Sequence, residues 1–200
     1  MFLPYERTCL AALAGVAVLG LTACDSGAAA QPTPDTSLLL TAGPQGYVLN
    51  PNVPESLDLD AARVATIADP DTLGTALGRN GFSGGESRVW QQGQSYETDL
   101  VFTFRTAAQA RTVLEVEHQA MTNGLGVVAS PGGDIPDSWA YTMFGSTRQG
   151  NASVFCQGVW FATGTHLFGI TTCGPNPGDE STALARADLQ LQRAQLLGGG

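Results

Sequence analysis

Ser83 stands in Gly81-Phe82-Ser83-Gly84-Gly85, a match to G-x-S-x-G, the pattern that lifts a nucleophilic serine on a sharp strand-to-helix turn. Asp134 and His166 follow it in the chain order of an acyl-transfer triad. The turn, however, needs a strand before the serine and a helix after it, and here the periodicity is reversed. A glycine-rich connection between a helix and a strand accounts for the segment, and the hydrolase reading is set aside. His118 and His166 are the only imidazoles, and the cysteines show no C-x-x-C spacing, so neither a metal site nor a redox dithiol is expected. No cofactor is implied.

Glu117 is the other residue of chemical interest. It falls inside the apolar arc of a helical stretch, where a carboxylate must be paired, protonated or turned toward a cavity. Two readings stand: an acid that contacts a ligand between helix and sheet, or one joined to an arginine or reaching past the helix edge. Trp90, Trp139, Tyr141 and Trp160 lie on or beside predicted strands. They either fill the core or line a ligand groove, and Trp160 is a candidate ligand contact with Glu117.

Cys24 carries different chemistry. Residues 8–21 form an uncharged, mostly apolar run too short for a comfortable membrane span. It ends in Leu21-Thr22-Ala23-Cys24, which resembles the bacterial lipobox. The resemblance implies export, cleavage of the 1–23 signal peptide, and a diacylglyceryl (palmitate-type) anchor on the Cys24 thiol, holding the protein on the outer face of the cell membrane. Several acyl chains anchor stably, since each buried CH₂ adds about 0.8 kcal/mol. Residues 24–37 follow as a tether with two prolines and no apolar period, and a single domain spans 38–200. The chain has 9 basic residues, all arginine, against 18 acidic ones, a net charge of −9. That balance repels phosphate backbones and anionic headgroups, which excludes nucleic acid as a partner.

The elements that position these residues follow from the pattern. A short helix is expected within 56–67. Asp69-Pro70-Asp71 starts another that ends in Gly78–Gly81. Strands are expected at Ser87–Gln92 and Asp99–Arg105. In the second, Leu100, Phe102 and Phe104 share one face and mostly polar residues the other, as in a half-buried antiparallel strand. Thr106 and Gln109 form a capping box for the clearest helix, which Asn123-Gly124 stops. Ala107, Ala110, Val113, Leu114, Val116, Ala120 and Met121 cover its buried arc, and His118 falls on the wet side. Residues 127–138 read as a turn-rich loop before a strand at Trp139–Ser146. The last helix, Thr182–Leu197, is capped by Asp179 or Ser181. It has one apolar stripe at Leu184, Ala187, Leu191 and Ala194 and a second at Ala185, Leu189 and Leu196, so cover on both sides is expected, in part from the arm that precedes the domain.

Ser153–Ala162 and His166–Cys173 form a hairpin if Gly164-Thr165 is a two-residue II′ turn. That register sets Cys156 opposite Cys173, Trp160 over Gly169 and Phe161 beside Phe168. In an exported chain the two cysteines are then expected as a structural disulfide.

Runs of adjacent strands between helices argue for the α+β class: an antiparallel sheet packed with two or three helices and a disulfide-stapled C-terminal hairpin. Through its lipobox, tether and paired cysteines the chain resembles small actinobacterial lipoproteins, and in element order it resembles PsbP-like lipoproteins. The resemblance implies location and general build, not activity; the anchor, the tether, the disulfide-stapled sheet and the lack of a catalytic set argue for an extracytoplasmic, non-enzymatic binding or interaction domain of the cell envelope. It docks an envelope protein or, alternatively, carries or senses a small apolar ligand.

Overall fold

The computed structural model describes residues 37–198 apart from 67–68, 124–125, 147–152 and 176–179. Cys24, the tether and Asp179 lie outside them. All described residues belong to one compact unit. It is α+β, with an antiparallel sheet between two covered faces.

Two short strands, β1 (Val48–Leu49) and β2 (Ser56–Leu57), lie along β3 (Phe82–Gln92). Helices α1 (Leu59–Val64) and α2 (Pro70–Arg79) come between, each started by an aspartate whose side chain accepts a backbone N–H: Asp58 from Ala61, Asp69 from Thr72. β3 forms a hairpin with β4 (Ser95–Phe104). Helix α3 (Ala107–Thr122) then crosses to the far edge. There β5 (Val127–Pro131) opens a meander through β6 (Ser138–Ser146), β7 (Ser153–Thr163) and β8 (His166–Gly174). The meander returns to the hairpin, because β8 pairs with β4, and the sheet order is β1-β3-β4-β8-β7-β6-β5. Helix α4 (Glu180–Leu196) closes the chain.

Period-two alternation sorts the side chains onto two faces. Leu100, Phe102, Trp139, Tyr141, Trp160 and Leu167 pack under α1, α2 and α3. Val101, Ala140, Val159, Phe161, Phe168 and Ile170 pack under α4 and an extended arm that begins at Ser37. Glycines let the large rings lie flat on neighbouring strands. Trp160 covers Gly169, where a Cβ would stand 2.7 Å from the indole, and Tyr141 crosses Gly158, where a Cβ would stand 2.5 Å from the ring. Tyr141 thereby reaches β8, and its hydroxyl lies 2.7 Å from Thr171 Oγ1. Gly169→Ala should therefore displace Trp160 and destabilise the protein by about 1–3 kcal/mol, as overpacking does. Urea unfolding followed by tryptophan emission measures this, and an unchanged midpoint would refute the packing role.

The C-terminal hairpin has the expected register, with Cys156 opposite Cys173, Trp160 opposite Gly169 and Phe161 opposite Phe168. Gly164 is left-handed at φ +53° and Thr165 is not, which fits II′. Cys156 and Cys173 form a disulfide with Cα atoms 4.1 Å apart, the close spacing of a non-hydrogen-bonded pair. Phe161 and Phe168 stack with centroids 4.8 Å apart and planes at 8°. Replacing both cysteines with alanine should cost about 3 kcal/mol by loop entropy. The shift in denaturation midpoint between oxidised wild type and the double variant checks the figure.

Several expectations are corrected. The stretch read as a loop at 127–138 contains β5, because Val127 to Pro131 pair along β6; a proline is tolerated at the end of that edge strand. β4 is not half-buried but buried on both faces: Val101 on the second face is 2% exposed, and Glu97 and Asp99 are fully buried there. The capping box is half made. Thr106 accepts the Gln109 N–H at 3.3 Å, but the Gln109 side chain turns against Gly81 and its Oε1 has no partner. His118 is partly buried rather than wet, its ring 4.9 Å from that of Trp139. In α4 the second stripe is not covered: Ala185, Leu189 and Leu196 are exposed, because the arm follows Arg186, Gln190 and Arg193 and leaves the residues beside that line open.

Candidate functional site

The serine motif does not form a site. Ser83 lies within β3 beside a register shift between Phe82 and Gly84, and its hydroxyl donates to the Thr103 carbonyl at 3.1 Å. Asp134 belongs to the loop before β6, four strand spacings from β3, or about 19 Å at ~4.8 Å each. His166 opens β8, opposite Thr103. The triad order in the sequence is not a triad in space. Among the described residues no group of three histidines, cysteines or acids is placed to hold a metal.

Glu117 occupies the middle of the buried stripe of α3, with Ala110, Val113, Leu114 and Met121. It is 1% exposed, and neither carboxyl oxygen has a hydrogen-bond partner. Among the described residues neither structural expectation is met: no arginine pairs with it, and at 1% exposure it does not reach past the helix edge. Burial pushes its pKa up to about 8, so the group is mostly protonated at neutral pH. Around it the sheet supplies Trp139, Tyr141 and Trp160, and both indole Nε1 atoms are buried without partners. The Tyr141 hydroxyl is raised chiefly by its own burial, and further by the nearby Glu117. Trp160 is 1% exposed and presents no surface to a ligand. The layer is a packed, under-satisfied acid and aromatic core, not an open pocket.

A second buried polar cluster lies on the other face, and the sequence pattern missed it. The arm from Ser37 to Ala42 runs antiparallel to α4, and α4 holds its backbone. Arg193 donates to the Ser37 carbonyl at 2.6 Å, Gln190 to that of Leu38, and Arg186 to that of Ala42 at 2.9 Å. From the sheet, Asp99 accepts the Leu40 N–H at 2.8 Å and Arg88 donates to the Leu40 carbonyl at 2.9 Å. Arg186 also grips the buried Glu97 with N···O distances of 2.6 and 2.9 Å. Burial raises Glu97, and Arg186 opposes the rise. Burial likewise pushes Asp99 up to about 7, against the Leu40 N–H. The one legible signal is Asp99 on the strand face opposite Leu100 and Phe102; nothing local shows that this face is covered, since Arg186, which meets Glu97, lies 89 residues downstream of it.

The accessible concavities are on the outside. Between α4 and the loop at 132–135 runs a groove of about 390 Å³ with Ile135, Leu184 and Leu191 on its walls. Asp134 and Asp188 rim it, and no basic residue lines it. A cleft of about 520 Å³ between α2 and α3 is lined by Thr72, Thr75, Asn80 and the charged Asp71 and Arg79, with Ala76 and Val116, and most of the surface it exposes is carbon. Outside the groove's lining, Val128 on β5 is 69% exposed and Phe144 on β6 is 54% exposed, on the sheet face that carries α4.

Among the described residues no helix is long and apolar enough to cross a membrane. No protein-family model matches the chain, and no curated protein does. Among solved structures, the extracellular domain of PknH from Mycobacterium tuberculosis is similar, with a TM-score of 0.47 and 9% identity over 77% of this chain and 83% of that one. That likeness concerns chain path and carries no conclusion about activity or partner.

Proposed function

We propose that this chain is a lipid-anchored, extracytoplasmic interaction domain of the cell envelope, without enzymatic activity, that docks a partner protein through the α4 face. The lipobox at Leu21–Cys24 supports the anchor, and the Cys156–Cys173 disulfide suits an oxidising compartment. The observation that carries docking over ligand carriage is where the apolar surface lies. Both sheet–helix layers are filled by packed core side chains, whereas Ile135, Leu184 and Leu191 wall an outward-facing groove. Its acidic rim, on a chain of net charge −9, selects a partner segment that pairs an apolar side chain with basic ones.

A photocrosslinking residue in place of Leu184, in the lipidated protein on its own cells, tests this. The expected result is a discrete protein adduct whose crosslinked segment is basic and apolar, lost in Asp134→Arg/Asp188→Arg. Adducts to lipid alone, no adduct, or one that survives the charge reversal would sink the docking reading. Cys24→Ser should abolish acylation and release from the membrane fraction; a wild-type protein with no lipid on Cys24 would end the anchor reading.

A further inference from the structure

α4 ends in leucines that nothing covers. Leu189 is 48% exposed, Leu196 87% and Leu197 44%. Leu189 and Leu196 stand four residues before and three after Arg193, on the same side of the helix. Arg193 is the residue whose guanidinium takes the Ser37 carbonyl through both Nε, at 3.1 Å, and Nη2, at 2.6 Å. The uncovered leucines therefore border the point where the chain enters the domain. Because the arm runs antiparallel to α4, its first described residue meets the C-terminal end of the helix and its later residues the middle.

The length of chain ahead of that point decides what the leucines face. Twelve residues separate Cys24 from Ser37, and linkers of that length have a root-mean-square reach of about 20 Å. A domain of about 160 residues is roughly 40 Å across. If Cys24 is acylated, as proposed above, the Ser37 end of the domain is on average the end nearer the bilayer. We propose that Leu189, Leu196 and Leu197 form a foot that seats in the outer surface of the membrane carrying the Cys24 lipid. The contact is apolar rather than electrostatic, since a chain of net charge −9 is repelled by anionic headgroups. Three leucines are too few to recruit a free domain; they orient one already tethered. The groove beside Leu184, Asp188 and Leu191 opens on another side of α4 from Leu189 and Leu196.

The three native tryptophans are at most 7% exposed, so a new one at the foot reads out over a quiet background. The lipidated Leu196→Trp protein is placed in phosphatidylcholine vesicles with and without bromine on the acyl chains, and wild type is subtracted. The added emission should fall roughly twofold in brominated lipid, because seating of an interfacial helix carries side chains about 5–10 Å deep. Leu189→Ser with Leu197→Ser should remove most of the difference. Equal emission in both lipids from protein that co-sediments with the vesicles overturns the foot and leaves the anchor standing. Protein that neither co-sediments nor carries lipid on Cys24 overturns the anchor and the foot with it. A doubled mass of unlipidated protein in light scattering, restored to one chain by Leu196→Ser, shows a second copy on the leucines and also overturns the foot.

Discussion

Glu117→Leu should stabilise the protein by roughly 3 kcal/mol or more at pH 7, with the gain growing toward pH 8 and its pH-dependent part vanishing near pH 4. The sign follows from the direction of the shift. In the unfolded chain the carboxyl ionises near its usual value of 4.5, whereas burial in the native state delays ionisation to about 8. Below pH 4.5 both states are protonated and the acid has no linkage effect. Between 4.5 and 8 the unfolded state releases a proton that the native state keeps, so stability falls as pH rises. Leucine removes the titration and fills the same stripe with an apolar side chain beside Val113, Leu114 and Met121. Glu117→Gln should flatten the same pH dependence with a smaller gain, because its amide stays unpartnered in that layer. Urea unfolding of the three proteins from pH 4 to 8 is the measurement. A leucine variant that is no more stable at pH 8 than wild type, with an unaltered slope, would mean that Glu117 is ionised and paired. Asp99, raised to about 7, gives wild type a second fall of the same sign through a lower window, from about 4 to 7.

Arg186→Met should have the opposite and larger effect, a loss of about 3–5 kcal/mol at neutral pH. Glu97 is fully buried, and Arg186 is the cation it is paired with, at 2.6 Å. Without it the carboxylate must either stay charged in a dry site or take up a proton. The same substitution removes the donor to the Ala42 carbonyl, so the arm loses one of its attachments to α4. Two readouts separate this from a general packing defect. The penalty should shrink as pH falls toward 4, where Glu97 becomes neutral at little cost, and Glu97→Gln in the same chain should recover much of the loss. Limited proteolysis should also cut near residues 42–46 sooner in the single variant than in wild type. A double variant as unstable as the single one would place the effect outside the pair.

The C-terminal half of the fold was legible because its information is local. A glycine at one turn position sets the register of β7 and β8, and the register alone brings Cys156 to Cys173 and Phe161 to Phe168. Helix α3 was legible from its period and its Thr106 cap. What stayed hidden was long-range. Nothing near Asp99 in the sequence announces Leu40 or Gln190, so its strand face read as wet when it was covered by an arm and a distant helix. Glu117 is recognisable as an oddity, but its structural explanations were an arginine partner or a reach past the helix edge, and among the described residues the packing supplies neither. The exposed leucines of α4 were read as a face awaiting cover inside the domain. Which face of a helix a distant arm will occupy depends on the guanidinium and amide groups that meet its carbonyls, and an apolar count does not include them.

The place of β8 between β4 and β7 has a kinetic consequence. The last strand of the chain joins the hairpin to the meander, through pairings such as Leu100 with Gly169, 69 positions apart. A polypeptide that has emerged only as far as β7 holds two unjoined fragments of sheet, each with an open edge. Closure of loops that long is slow, in the range of milliseconds to seconds, so we expect assembly to wait for synthesis and delivery of nearly the whole chain. Such a molecule stays threadable until late, and a version cut before residue 166 should aggregate rather than fold.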